Sequence, residues 1–201
     1  MTAMYRTYRA LYRLGITPWD DAAQANSRIA DAVPGPAARA VDLGCGTGSQ
    51  ARALAERGWS VTAVDFVPAA IDAARRRDPD ATVTWRVADV TRLDTVDPDG
   101  RLAGTVGLLL DNGCLHGIAT RLRPGWIATV DALAAPGADL LIRAGSRTGR
   151  HRGIGPAGID AAELADLLGD GWLRQPAPGP DWYHYRVAGA PETIVRQGVD
   201  R

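Results

Sequence analysis

A doubly wound α/β fold, a seven-stranded and mostly parallel sheet with helices on both faces, is predicted by three observations. The run VDLGCGTG, Val41 to Gly48, joins an apolar segment and an acid to three alternating glycines. Apolar runs ending in acids follow it at regular intervals, with Asp65 and Asp89 closing the next two. Between these runs lie segments with helical spacing, the alternation expected of a parallel sheet.

The elements can be read in order. Ala40, Val41 and Leu43 form a buried strand, and Gly44, Gly46 and Gly48 let the backbone take positive φ and approach a ligand closely. Cys45 lies within this loop, whose N–H groups, with the start of the helix Ser49 to Arg57, would face that ligand. The second strand runs from Trp59 to Val64 and ends in Asp65, 21 residues after Gly44, the separation expected of an acid that holds ribose hydroxyls. Pro68 then opens a helix with Ile71 and Ala74 toward the sheet. A third strand spans Thr82 to Asp89, and Val106, Leu108, Leu109 and Leu110 make a fourth. RPGWIATVDALAA is helical, Pro136 and Gly137 mark a turn, and ADLLIRAG is strand five. AAELADLLG has helical spacing, Trp172 to Arg174 supplies strand six, and WYHYRVAG alternates as an edge strand should.

A single domain is expected over 1–201, with N-terminal lid helices in 1–33 and a core in 37–190. Formal net charge is zero, so no global field favours a nucleic-acid partner or an anionic membrane. No apolar run is long enough to span a membrane and no secretory segment opens the chain, so a cytoplasmic protein is expected. Two cysteines, Cys45 and Cys114, are too few for a disulfide framework or metal cluster, and no metal is expected. Both thiols should lie at one end of the sheet, reduced and packed.

Glycine loops also occur in NAD and FAD sites, but the dinucleotide fingerprint wants glycine or alanine where this chain has Ser49. The loop instead resembles the first motif of the class I S-adenosylmethionine (SAM) dependent methyltransferases, which have a Rossmann-like fold. The resemblance implies SAM as cofactor and S-adenosylhomocysteine as product. It implies that Asp42 organises the loop near the methionine moiety, and that Asp89 accepts from the adenine amino group with the Val90 N–H nearby. Phe66 and Val67 would wall the adenine, or Phe66 would belong to the core.

DNGCLH, Asp111 to His116, clusters polar groups after strand four, where an open sheet binds its ligand. It resembles small bacterial methyltransferases related to the thiopurine, tellurite and phenol or quinone enzymes, with Arg121 and Trp126 approximating an arginine and aromatic pair that follows there. His116 is a candidate base or acceptor-orienting group, or else a helix cap. Asn112 would hydrogen-bond the acceptor, and Asp111 suits local geometry better than proton abstraction. The N-terminal helix carries Tyr5, Tyr8 and Tyr12 at helical spacing beside Arg6, Arg9 and Arg13, and Trp19 resembles a tryptophan near the cofactor in thiopurine-type enzymes. The segment 145–158 holds Arg147, Arg150, His151 and Arg152, which either meet an anionic substrate group or stay solvated. The tail from Pro191 should be loosely held.

The leading expectation is methyl transfer to oxygen or sulfur of a small-molecule acceptor, by a monomer or homodimer, with positioning outweighing base catalysis. Alternatives are a SAM-binding protein that is catalytically silent or uses SAM for a cyclisation in secondary metabolism, and an NAD-dependent reductase.

Overall fold

Parity along each strand divides the core into two layers, one on either side of the sheet. The computed structural model describes residues 7, 8, 10–12, 38–145, 158–179 and 181–188. The strands are β1 (Arg39–Leu43), β2 (Ser60–Asp65), β3 (Val83–Val87), β4 (Val106–Asn112), β5 (Ala134–Arg143), β6 (Trp172–Gln175) and β7 (Trp182–Val187). The helices, apart from the helical residues at 7, 8 and 10–12, are α1 (Ser49–Glu56), α2 (Pro68–Arg76), α3 (Leu93–Val96), α4 (Arg123–Leu133) and α5 (Ala161–Leu168). Strand order is β3-β2-β1-β4-β5-β7-β6, with β1 to β5 parallel and β7 antiparallel to both of its neighbours.

Ala40, Leu108 and Leu110 pack with Ala51, Leu54, Ile71 and Ala74 of α1 and α2. Val41, Leu43, Leu109, Leu140 and Ile142 face the other way, onto Trp126, Val130 and Leu133 of α4 and Leu164 and Leu168 of α5. Strand order reverses between β1 and β4, so the carboxyl ends of these two strands flank the crevice where such sheets bind ligands. At α5, Asp160 caps the helix by accepting from the Glu163 N–H at 2.9 Å.

Three expectations change. WYHYRVAG is an inner strand: β7 lies between β5 and β6, and the short β6 is the edge. Alternation reports which face a side chain meets and carries no information on whether both flanks are paired. Pro136 and Gly137 fall inside an irregular start to β5, where Val106 pairs with Ala134 but Leu108 pairs with Asp139, and Gly137 has φ 74°. β3 ends at Val87, because the Asp89 side chain takes the N–H of Thr91 at 2.9 Å and turns the chain. The segment 146–157, most of the N-terminal lid and the tail from Pro191 lie outside the described residues.

Candidate functional site

The loop after β1 is folded around the end of β2. Gly44, Gly46 and Gly48 have φ of 75°, 55° and 79°, a region costly for any residue with a Cβ. Val64 O accepts from the N–H groups of Gly44 at 2.8 Å and Cys45 at 2.9 Å, and Cys45 O accepts from the Gly48 N–H at 2.9 Å. Gly46 donates its N–H to Asp65 Oδ2 at 3.0 Å. These donors, expected to face a ligand, are thus used inside the protein. Two of the glycines also serve packing: a Cβ on Gly44 would stand 2.7 Å from Cys114 Sγ, and one on Gly48 would overlap the Trp85 ring. Close approach at these two positions is by side chains from the turn after β4 and from β3.

Three acids from three strand ends meet beside this loop. Asp42, at 1% exposure, has an Oδ2 with no hydrogen-bond partner. Burial, then the nearby Asp111 and Asp65, push its carboxyl from 3.8 up to about 8, with the Ala51 N–H pulling the other way. Asp65 is buried and oriented by the Val67 N–H, which donates to Oδ1 at 2.8 Å, and by Gly46 on Oδ2. Asp111 is fully buried and accepts from Cys114 N at 2.8 Å, Leu115 N at 3.0 Å and Trp126 Nε1 at 3.1 Å. Burial raises it to about 7 against the pull of those donors. Through the Cys114 and Leu115 N–H groups it holds the turn after β4.

Cys45 and Cys114 are free and half-buried, and they do come to the same end of the sheet. Burial and the neighbouring carboxylates push both thiols well above their ordinary range, so they stay protonated. A buried cluster of acids with an orphaned oxygen suits a ligand that brings cationic groups and hydroxyls. SAM, with its ammonium, sulfonium and ribose, fits that requirement. Among the described residues no group of three His, Cys, Asp or Glu is placed to hold a metal, and no helix is long and apolar enough to cross a membrane.

Around these acids, Phe66 is half-buried and meets the ring of Tyr8 edge-on, with centroids 6.3 Å apart. The Tyr8 hydroxyl lies 4.0 Å from where a Cβ on Gly117 would stand, and burial, then Cys114 and Asp65, raise its pKa. Tyr8 is a site residue that sequence reading placed only in a lid helix; its signal was the recurrence of tyrosines at helical spacing. Asp89 is exposed, with Oδ1 accepting from Thr91 N at 2.9 Å and Thr91 Oγ1 at 2.7 Å. The Val90 side chain is buried in the core. Trp19, Arg6, Arg9, Arg13, Arg147, Arg150, His151 and Arg152 lie outside the described residues.

After β4, Asn112 is half-buried and Gly113 has φ 92°. His116 is half-buried, and its Nδ1 accepts from the Gly145 N–H at 3.1 Å. Burial, then Arg123 and Arg143, lower its pKa from 6.5. Arg123, buried to 2% exposure, donates to Ile118 O at 3.1 Å and Gly158 O at 3.3 Å and pairs with Glu163. Arg121 is exposed and Trp126 is turned inward to Asp111, so the buried arginine here is Arg123. Sequence reading missed it because a buried and a solvated arginine have the same local pattern.

A family described as "Methyltransferase domain" matches residues 40–125. A 2-heptyl-1-hydroxyquinolin-4(1H)-one methyltransferase of Mycobacteroides abscessus is 29% identical over 136 residues, 66% of this chain and 57% of that protein. A ubiquinone biosynthesis O-methyltransferase of Xanthomonas campestris is 30% identical over 131 residues, 57% of this chain and 55% of that protein. The chain thus spans about half the length of these relatives. Among solved structures, the Burkholderia thailandensis 1,6-didemethyltoxoflavin-N1-methyltransferase, with bound 1,6-didemethyltoxoflavin and S-adenosylhomocysteine, superposes with a TM-score of 0.64 at 26% identity, covering 91% of this chain and 86% of that one.

Proposed function

We propose that this chain, whose residues 40–125 match a family described as "Methyltransferase domain", is a class I SAM-dependent methyltransferase that transfers the methyl group to an oxygen or sulfur atom of a small-molecule acceptor. The observation that carries this reading is the orphaned Asp42 oxygen inside the cluster of Asp42, Asp65 and Asp111. SAM supplies a methyl group already made electrophilic by a sulfonium. Asp42 would meet the cationic methionine end, beside the loop of Gly44, Cys45, Gly46 and Gly48. Asp65 would hold the ribose hydroxyls, and Asp89, Val90 and Phe66 would bound the adenine. Asp111, locked by Cys114, Leu115 and Trp126, fixes the turn that carries Asn112 and His116 toward the acceptor. Tyr8 would cover this end of the site and help exclude water.

Positioning contributes on the order of 7 to 11 kcal/mol in well-oriented reactions, more than the 100- to 10,000-fold typical of a general base. A site without a strong base is therefore no obstacle. The relatives' names include an O-methyltransferase and an N1-methyltransferase, so related chains do not share one acceptor atom. Isothermal titration should show SAM and S-adenosylhomocysteine binding at micromolar range, lost in Asp65→Ala; binding of neither by the wild type would sink the reading. Turnover on a panel of phenols, thiols, carboxylic acids and amines then identifies the acceptor atom. Tight binding without any turnover would favour the catalytically silent alternative.

A further inference from the structure

His116 would normally be assigned as the base of such a site, yet its surroundings assign the ring's proton differently. Its Nδ1 faces the backbone N–H of Gly145 at 3.1 Å. A backbone amide can only donate, so Nδ1 must accept, and the neutral ring then carries its hydrogen on Nε2. This pairing is held from both sides. Gly145 leads out of β5, and its carbonyl accepts from the Ile159 N–H at 3.3 Å. On the β4 side, Arg123 holds Ile118, two residues beyond His116, through its carbonyl at 3.1 Å. The Cε1 and Nε2 edge of the ring lies over Gly113, with a Cβ there standing 3.4 Å from Cε1 and 3.8 Å from Nε2. Gly113 adopts φ 92° at the end of β4, so the Nε2 edge lies at the carboxyl end of the sheet, where ligands bind.

We infer that His116 is a hydrogen-bond donor through Nε2–H to the acceptor atom, and that the substrates are acceptors that arrive already ionised, such as N-hydroxy heteroaromatics, acidic phenols or thiols. The inference rests on the proposed methyltransferase reading. A ring in this tautomer has no lone pair on Nε2 with which to take a proton, and its Nδ1 lone pair is committed to Gly145. Arg123 and Arg143, the charged groups acting on the ring, disfavour the imidazolium that a base would have to become. With an anionic acceptor the step balances without a base. The acceptor's lone pair forms the bond to the methyl carbon, the electron pair of the breaking carbon–sulfur bond stays on sulfur, and an anion and a sulfonium become two neutral groups. The Nε2–H keeps the anion oriented for in-line attack and costs no proton transfer.

The test has two independent arms. Long-range proton–nitrogen correlation spectra of the 15N-labelled protein resolve the rings of its three histidines, with His116 assigned by loss of its signals in His116→Gln. At pH 7.5 the His116 Nδ1 should show the shift of an unprotonated nitrogen and Nε2 that of a protonated one; the reverse, or an equal mixture, overturns the inference whether or not the protein transfers methyl groups. In the second arm, methylation rates are followed against pH for phenol, 4-nitrophenol, thiophenol and 1-hydroxyquinolin-4-one. The rising limb should shift with each acceptor's own acidity, and His116→Ala, which removes the donor, should lower kcat on the ionised acceptors about 100-fold without moving that limb. A limb common to all acceptors that disappears in His116→Gln would identify a base and overturn the inference. Binding of S-adenosylhomocysteine with no turnover on any probe counts against the substrate class as well as the proposed function, and the nitrogen shifts still decide the tautomer.

Discussion

Asp42 in AVDL and Asp139 in GADL are each a lone acid in an apolar strand, and both are buried, at 1% and 7% exposure. Their surroundings differ in kind. Asp139 accepts a two-pronged contact from Arg186, Nε to Oδ1 at 2.9 Å and Nη2 to Oδ2 at 3.2 Å, and its Oδ1 lies 2.7 Å from His184 Nε2. Asp42 has an orphaned oxygen and two further carboxylates as neighbours. The Asp139 carboxylate is completed within the chain; Asp42 keeps an oxygen that the positive charge of the proposed ligand would meet. Burial of an acid is therefore uninformative by itself, and the presence or absence of a protein partner separates structure from site.

The contrast is broken most directly at Asp139. Asp139→Ala should cost about 3 kcal/mol in chemical denaturation, since it strands His184 and the Arg186 fork; half-exposure of Arg186 keeps the cost at the low end for a broken buried pair. Affinity for S-adenosylhomocysteine in the folded protein should be little changed. A loss below about 0.5 kcal/mol would show that the pair does not carry this side of the sheet.

The opposite sign is expected at Asp42. With a folded-state pKa of about 8 against an ordinary 3.8, Asp42 keeps its proton in the folded chain over a range where the unfolded chain has lost it. Its contribution to stability is full below the ordinary value and is lost as pH rises through about 8; Asp111, at about 7, acts in the same direction. The melting temperature of the ligand-free protein should therefore fall between pH 5 and pH 8.5. Asp42→Asn should flatten that decline, gain about 1 to 2 kcal/mol at pH 8.5 and weaken SAM binding in titration. A wild-type melting temperature that climbs over this interval would show that the acids are not short of partners.

The smallest effect is at Trp126, which donates from α4 to Asp111 at 3.1 Å. Trp126→Phe keeps most of the buried volume and removes that donor, so stability at pH 8 should drop by about 1 kcal/mol. The Asp111 carboxyl should rise further, which carbon NMR of the side-chain carboxyls would detect. An unmoved Asp111 titration would remove Trp126 from the site's support.

Much of this site is legible locally. The strand, glycine loop and helix from Arg39 to Glu56, the acid closing β2 and the inward face of α2 all follow from short-range patterns, and each has the expected backbone. Tyr8, Arg123 and Gly145 are not legible in that way, because each acts through contacts with residues 29 to 109 positions away: Phe66 and Gly117 for Tyr8, Gly158 and Glu163 for Arg123, His116 for Gly145. The position of β7 also lay beyond pattern, since alternation does not say which strands lie on either flank.

By itself, the sequence determined the alternation of strands and helices, the positive φ of the glycine turn and the placing of Asp42 and Asp65 at the ends of β1 and β2, because backbone sterics and hydrophobic period act over a few residues. Only the tertiary structure decided that Gly44 and Gly48 make room for Cys114 and Trp85, that both Asp139 oxygens have partners while one Asp42 oxygen has none, and that the Gly145 N–H meets His116 Nδ1. Those outcomes depend on which donors and charges arrive from distant parts of the chain, and a hydrogen-bond partner brought by folding leaves no mark on the residues beside it.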